Sequence, residues 1–198
     1  YVVVCIDEFE LDDPGNTTGY AVFGQVEAGM EVADAISNVP TGGTKGHGGN
    51  LTLTALGAIS TGAAGNINTA GGATITGNAG RNAGSITISG GSFSSGTGTI
   101  TASGTAGLGA SQAGGLGGDV QITTSGAVTT GAISTVGGAA VTPGPAAGGN
   151  SGAITITNNS TTSGAIAVGA LTTTGGAAFG TGAAGTPGAI NITNNASG

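Results

Sequence analysis

Few side chains in this sequence are equipped for chemistry, and their spacing matters more than their number. One histidine (His47), one cysteine (Cys5) and two cations (Lys45, Arg81) stand against nine carboxylates. Eight of those acids (Asp7, Glu8, Glu10, Asp12, Asp13, Glu27, Glu31, Asp34) precede residue 35, and Asp119 alone lies beyond it. His47 sits in "TKGHGG" with no second His, Cys or carboxylate beside it. Metal ligation needs several converging donors, so a solvated linker residue is the expectation there. Cys5 lies in "YVVVCI", an apolar run that suits a buried strand cysteine better than a catalytic thiol. A single cysteine also excludes an internal disulfide framework and a Cys-based zinc site. The glycines around Lys45 lack the Gly-x-x-x-x-Gly-Lys-Ser/Thr spacing that cradles phosphate.

One stretch, "GGLGGDVQI" (114–122), has the outline of a calcium-binding nonapeptide. It occurs once, offers one carboxylate at Asp119, and places Gln121 where that motif requires an apolar residue. Calcium demands several oxygen ligands, so a polar corner turn is the better expectation. Neither metal nor cofactor is expected. Two cations cannot neutralise a phosphate track, which argues against nucleic acid as a partner. No run of about 20 apolar residues exists to span a membrane as a helix. The sequence opens on a strand already under way and stops at "NITNNASG" in mid-pattern, as an internal fragment of a longer protein would.

The elements that would position such residues follow from a repeat. Glycine supplies 45 of 198 residues, a composition that without a period would indicate disorder. An apolar-polar-apolar couplet recurs at Leu51/Leu53, Ile86/Ile88, Val120/Ile122, Ile154/Ile156 and Ile190/Ile192, in steps of 35, 34, 34 and 36 residues. A second signature keeps nearly the same beat, as "INTAGGATI" (67–75), "ITASGTAGL" (100–108), "ISTVGGAAV" (133–141) and "LTTTGGAAF" (171–179). Between them fall Ile59, Phe93, Val128 and Ile166, and Gly/Ala/Pro-rich stretches such as "TPGPAAGGNSG" (142–152) lead to the next couplet. Short alternating segments separated by turn residues read as strands. A unit this small buries an apolar face only by stacking on its neighbours, which lines the Ile, Val and Leu positions into one interior. The expected fold is mainly β: a three-sided parallel β-helix (β-solenoid) of about four coils over 50–198. Its rise of about 4.8 Å per coil gives a length of roughly 20 Å. A β-sandwich is the rival, but it gives no reason for so regular a period.

The front of the chain differs in kind. "VVVCI" (2–6) and "YAVFGQV" (20–26) read as strands joined by an acidic loop, and "GMEVADAISNVP" (29–40) as a short helix ended by Pro40. Residues 1–43 thus form a strand-loop-strand-helix piece, and 44–49 a linker.

Two resemblances extend this reading. "GYAVFGQVEAGMEVADAISNVPT" (19–41) closely resembles the C-terminal part of cyclophilin-type peptidyl-prolyl isomerases. Such enzymes lower an amide-rotation barrier of about 18–20 kcal/mol by seating proline in an apolar pocket, without covalent chemistry. The resemblance assigns Tyr20 and Leu11 to that pocket, and Val2 to a place where the family usually has Phe; Glu10 stands where an aromatic is common. The family's catalytic arginine has no counterpart here, and Arg81 lies in a repeat loop, so this incomplete cyclophilin-like segment is expected to be inactive. "GGDVQITTSGAVTTGAISTVGGAAV" (117–141) and "GAITITNNSTTSGAIAVGALTTTGGAAF" (152–179) resemble the repeats of filamentous-haemagglutinin-like and autotransporter-type bacterial surface proteins. This implies an extracellular or cell-surface stalk, often adhesive. The partners implied are proline-containing peptides for the front part and surface or matrix ligands for the solenoid. The segment 50–56 fits either as the last cyclophilin strand or as the first coil. Outward Thr52/Thr54, Thr87/Ser89, Gln121/Thr123, Thr155/Thr157 and Asn191/Thr193 would stack into a Thr-rich ladder resembling some ice-binding solenoids. Threonine is also simply a good strand former.

Overall fold

The computed structural model describes residues 46–141, 143–161 and 164–196. The expected cyclophilin-like segment at 1–43 lies outside the described residues, with Cys5, Val2, Leu11 and Tyr20. Among the described residues there are thirteen strands and no helix.

The first coil holds β1 (Leu51–Thr54), β2 (Ala58–Ser60) and β3 (Ile67–Asn68). The second holds β4 (Ile86–Gly90), β5 (Ser92–Ser94) and β6 (Ile100–Thr101), and the third β7 (Val120–Thr124), β8 (Val128–Thr130) and β9 (Ile133–Ser134). The fourth holds β10 (Ile154–Asn158), β11 (Ile166–Val168) and β12 (Leu171–Thr172), and β13 (Ile190–Asn194) begins a fifth. Equivalent strands pair in parallel into three sheets, ordered β1-β4-β7-β10-β13, β2-β5-β8-β11 and β3-β6-β9-β12. This is a three-sheet parallel β-solenoid in which every strand meets its own counterpart one coil away. The segment 50–56 belongs to the first coil, because Leu51 and Leu53 lie in register with Ile86 and Ile88.

Register follows from burial. A slip of one residue would turn each couplet's isoleucines outward and its threonines inward, so the couplets lock every rung. Ile86, Ile88, Ile100, Ile122, Ile133, Ile154 and Ile156 have no exposed surface, and Phe93 and Val128 complete the second wall of the core. Each such side chain contributes about 1.5–3 kcal/mol. Burial comes from the neighbouring coil: Ile190 and Ile192, on the last rung, are 44% and 48% exposed, although their partners Ile154 and Ile156 are fully buried.

One part of the expected interior lies elsewhere. Ile75, Leu108, Val141 and Phe179, which close the second signature, are absent from the core; Ile75, Val141 and Phe179 are each at least 40% exposed. The stretch between the third sheet and the next first sheet is no loose loop. It runs outward and returns as two legs, and the closing apolar residue sits at the far end of the outgoing leg.

These legs form a fourth wall rich in glycine. On the second coil's outgoing leg, Gly104 and Gly107 donate to Val136 and Ala139 of the next outgoing leg, while Thr105 donates to Arg81 on the previous return leg. On its return leg, Gly114 and Gly117 donate to Ala147 and Asn150 of the next return leg, while Gly115 and Gly118 donate to Thr105 and Ala102. Equivalent donors recur every third residue, the period of a polyproline-II-type chain rather than the two of a strand. One unbroken zigzag crosses all four coils: Gly185 to Gly176, Gly176 to Gly149, Gly149 to Gly138, Gly138 to Gly115, Gly115 to Thr105, and Thr105 to Arg81, at 2.8–3.0 Å throughout. A Cβ added at Gly138, Gly149 or Gly176 would lie under 3.0 Å from a neighbouring backbone carbonyl. The glycines are therefore needed for the close approach of the legs.

Candidate functional site

The outer face of the first sheet is the most regular surface among the described residues. Alternation turns every second residue of β1, β4, β7, β10 and β13 outward, and parallel register stacks them. One column reads Thr54, Ser89, Thr123, Thr157, Thr193, with a hydroxyl on each rung. Beside it run Thr52, Thr87, Gln121, Thr155 and Asn191. Strand geometry sets the columns about 6.8 Å apart and their rungs about 4.8 Å apart. Six of these residues are exposed, and Thr87, Thr123, Thr155 and Thr157 are half-buried by their neighbours along the stack.

None of these ten side chains hydrogen-bonds to another described residue. Polar side chains at the border of the same sheet behave differently. Asn50 Oδ1 accepts from Ser85 N–H at 2.8 Å, and Asp119 Oδ1 accepts from Ala153 N–H at 2.8 Å, each one coil on. Asn82 and Asn150 clip Leu116 N–H and Thr186 N–H in the same way, both at 2.9 Å. Asn66 does so for Thr99 N–H at the edge of the third sheet. These residues satisfy backbone donors that ladder bonds leave over, a structural duty. The columns of the first sheet have no such duty.

The residues singled out for their chemistry are dispersed. His47 is exposed, as expected, yet bound: Nδ1 accepts from Asn82 N–H at 2.8 Å, so the neutral ring carries its proton on Nε2. With Gly46 and Gly48 bonded to Gly72 and Asn82, the expected joint continues the glycine wall over 46–48. Asp119 uses its carboxylate as a backbone clip. Arg81 carries its backbone into the glycine zigzag, and its Nε is buried without a partner. Among the described residues no three His, Cys, Asp or Glu converge as a metal site, and no helix is long and apolar enough to cross a membrane.

Two features escaped the sequence reading. Asn158, the last residue of β10, is fully buried where the chain turns its corner, and its Nδ2 donates to Gly164 O and to Asn194 Oδ1, both at 3.0 Å, while its Oδ1 accepts from Ser160 N–H at 2.9 Å. Outside it, Asn195 Nδ2 donates to Asn159 Oδ1 at 3.0 Å, so the two "NN" pairs stack as a double amide ladder. The second feature is the ridge of Ile75, Leu108, Val141 and Phe179 along the ends of the glycine legs. The antiparallel bridges Asn78 to Leu108 and Ala146 to Phe179 fix two of its members.

Comparison of the chain with protein-family models, with curated proteins and with solved structures found no match in any of the three.

Proposed function

We propose that the solenoid is a rigid structural stalk, an adhesin-like scaffold of a secreted or surface protein of bacterial type, joined to a cyclophilin-like segment. The observation that carries this reading is the uninterrupted register of the five-stranded sheet from Leu51 to Ile190. A stack whose rungs meet only their neighbours extends linearly with the number of repeats and keeps its cross-section, which suits a spacer. Its outer faces of small polar residues are free to present ligands or to stay inert. The resemblance of 117–141 and 152–179 to surface-protein repeats supports the same reading. Small-angle scattering tests it. Duplicating the two central coils (86–153) should lengthen the particle by about 10 Å at constant cross-sectional radius. A wider particle of unchanged length would overturn the stalk.

A second reading is enzymatic: the parent protein isomerises prolyl bonds outside the cytoplasm, with the solenoid as tether. The specific motif "VFGQVEAGMEV" (22–32) favours it. Tyr20, Leu11 and Val2 would line the proline pocket in that case. A protease-coupled isomerisation assay separates the readings: the chain itself should show no acceleration, and the second reading holds only if a longer parent protein does.

A further inference from the structure

We propose that the outer face of the first sheet binds a lattice of ordered water, that is, the surface of ice. The face repeats in two directions, with a hydroxyl on every rung of the Thr54, Ser89, Thr123, Thr157, Thr193 column and threonine on three rungs of its neighbour. Weak contacts of this kind sum only against a partner that repeats on a similar scale. A solid hydrogen-bonded lattice of water does so and a dissolved molecule does not. The ten side chains have no hydrogen bond to another described residue, whereas Asn50, Asn82, Asp119 and Asn150 on the flanks are engaged with backbone. The donors and acceptors of the face are therefore available outward. Threonine's branched Cβ is stiff at χ1, so little side-chain freedom is lost when the array docks. Each threonine also offers a methyl beside its hydroxyl, which lets water order without a strong competing charge. No charged residue stands in either column; the neighbouring carboxylate, Asp119, is held by Ala153 N–H. The columns contain no aromatic ring on which a sugar could stack, which sets ice ahead of a crystalline polysaccharide.

Gln121 and Asn191 interrupt the column that begins at Thr52, which makes the inference testable in both directions. The full chain should produce thermal hysteresis and partition into slowly growing ice. Thr123→Lys and Thr157→Lys should each abolish both effects, while Thr129→Lys, on the outer face of the second sheet, should leave them intact. Thr157→Val, close in shape, should reduce hysteresis with an unchanged melting transition, so that loss of fold is not the cause. Gln121→Thr, which completes a fourth threonine in its column, should raise the hysteresis. Absence of hysteresis in the full chain, equal loss in Thr129→Lys, or retention on microcrystalline cellulose in place of ice would overturn the proposal. The scattering test of the stalk is independent of each of these outcomes.

Discussion

The first sheet and the glycine wall hang on the same device, hydrogen bonds from one coil to the next, and they answer side chains in opposite ways. In the sheet, successive residues point inward and outward, so isoleucine fills the core and threonine or glutamine stands free outside. In the wall, two legs from the same coil and two from its neighbour press together, and the directions a side chain would take are occupied by carbonyl oxygens. A pleated ladder leaves room for sequence, whereas a three-residue ladder packed against itself removes it. The sheets thus tolerate large side chains, while the wall is narrowed towards glycine at its closest approaches, with Thr105 and Arg81 as exceptions on the zigzag.

The contrast can be broken most sharply at the wall. Gly138→Ala places a methyl against Thr105 O and Gly115 N, both backbone, with no flexible side chain to yield. We expect a loss of at least about 3 kcal/mol, at the upper end of overpacking costs, read as a lower urea midpoint by circular dichroism. If Gly138→Ala costs no more than a surface change, the two regions do not differ as described.

The core comes next, and it should show a gradient along the stack. Ile122→Ala removes a fully buried side chain between two coils and should cost about 2–5 kcal/mol. Ile192→Ala, on the half-exposed last rung, should cost about 1 kcal/mol or less. Equal losses at the two sites would mean that the last rung is covered in solution.

Asn158→Ala tests the corner between these extremes. It removes the side-chain oxygen that accepts from Ser160 N–H and leaves the Asn194 amide without its stacked partner, for about 1–3 kcal/mol in thermal unfolding. Smallest of all, Thr123→Ala should shift stability by within about 0.5 kcal/mol, since its hydroxyl has no partner among the described residues. A larger loss there would show that the columns hold the sheet together and are not free for a ligand.

The sheets were legible in the sequence because alternation and period act together. Ile86/Ile88 and Val120/Ile122 announce a buried face by their spacing of two, and the near-constant step to the next couplet announces stacking. Phe93 and Val128 fell into place on the same beat. Ile75, Leu108, Val141 and Phe179 keep that beat too, and a period alone does not distinguish an apolar residue inside a coil from one on an arm. Glycine carries no facing pattern, so the three-residue ladder of the wall left no trace in hydropathy. A textual hint was the recurring Gly-Gly pair, at 71–72, 137–138 and 175–176 on the outgoing legs and at 114–115 and 148–149 on the return legs. Asn158 and Asn194 left a fainter signal, the "NN" doublets 36 residues apart, which in an Asn-rich sequence passes for chance.

Register has a mechanical side as well. The backbone bonds that join coils point along the stack, and successive coils differ by 34 to 36 residues in the first sheet. Tension applied at the two ends of the chain therefore meets the bonds of the outermost coil before those of any other. A coil that yields releases roughly 110–130 Å of extended chain and leaves the next coil in its place, bearing the same load on the same set of bonds. Stretched this way, the molecule lengthens in equal instalments, spreading a sudden pull over several small failures.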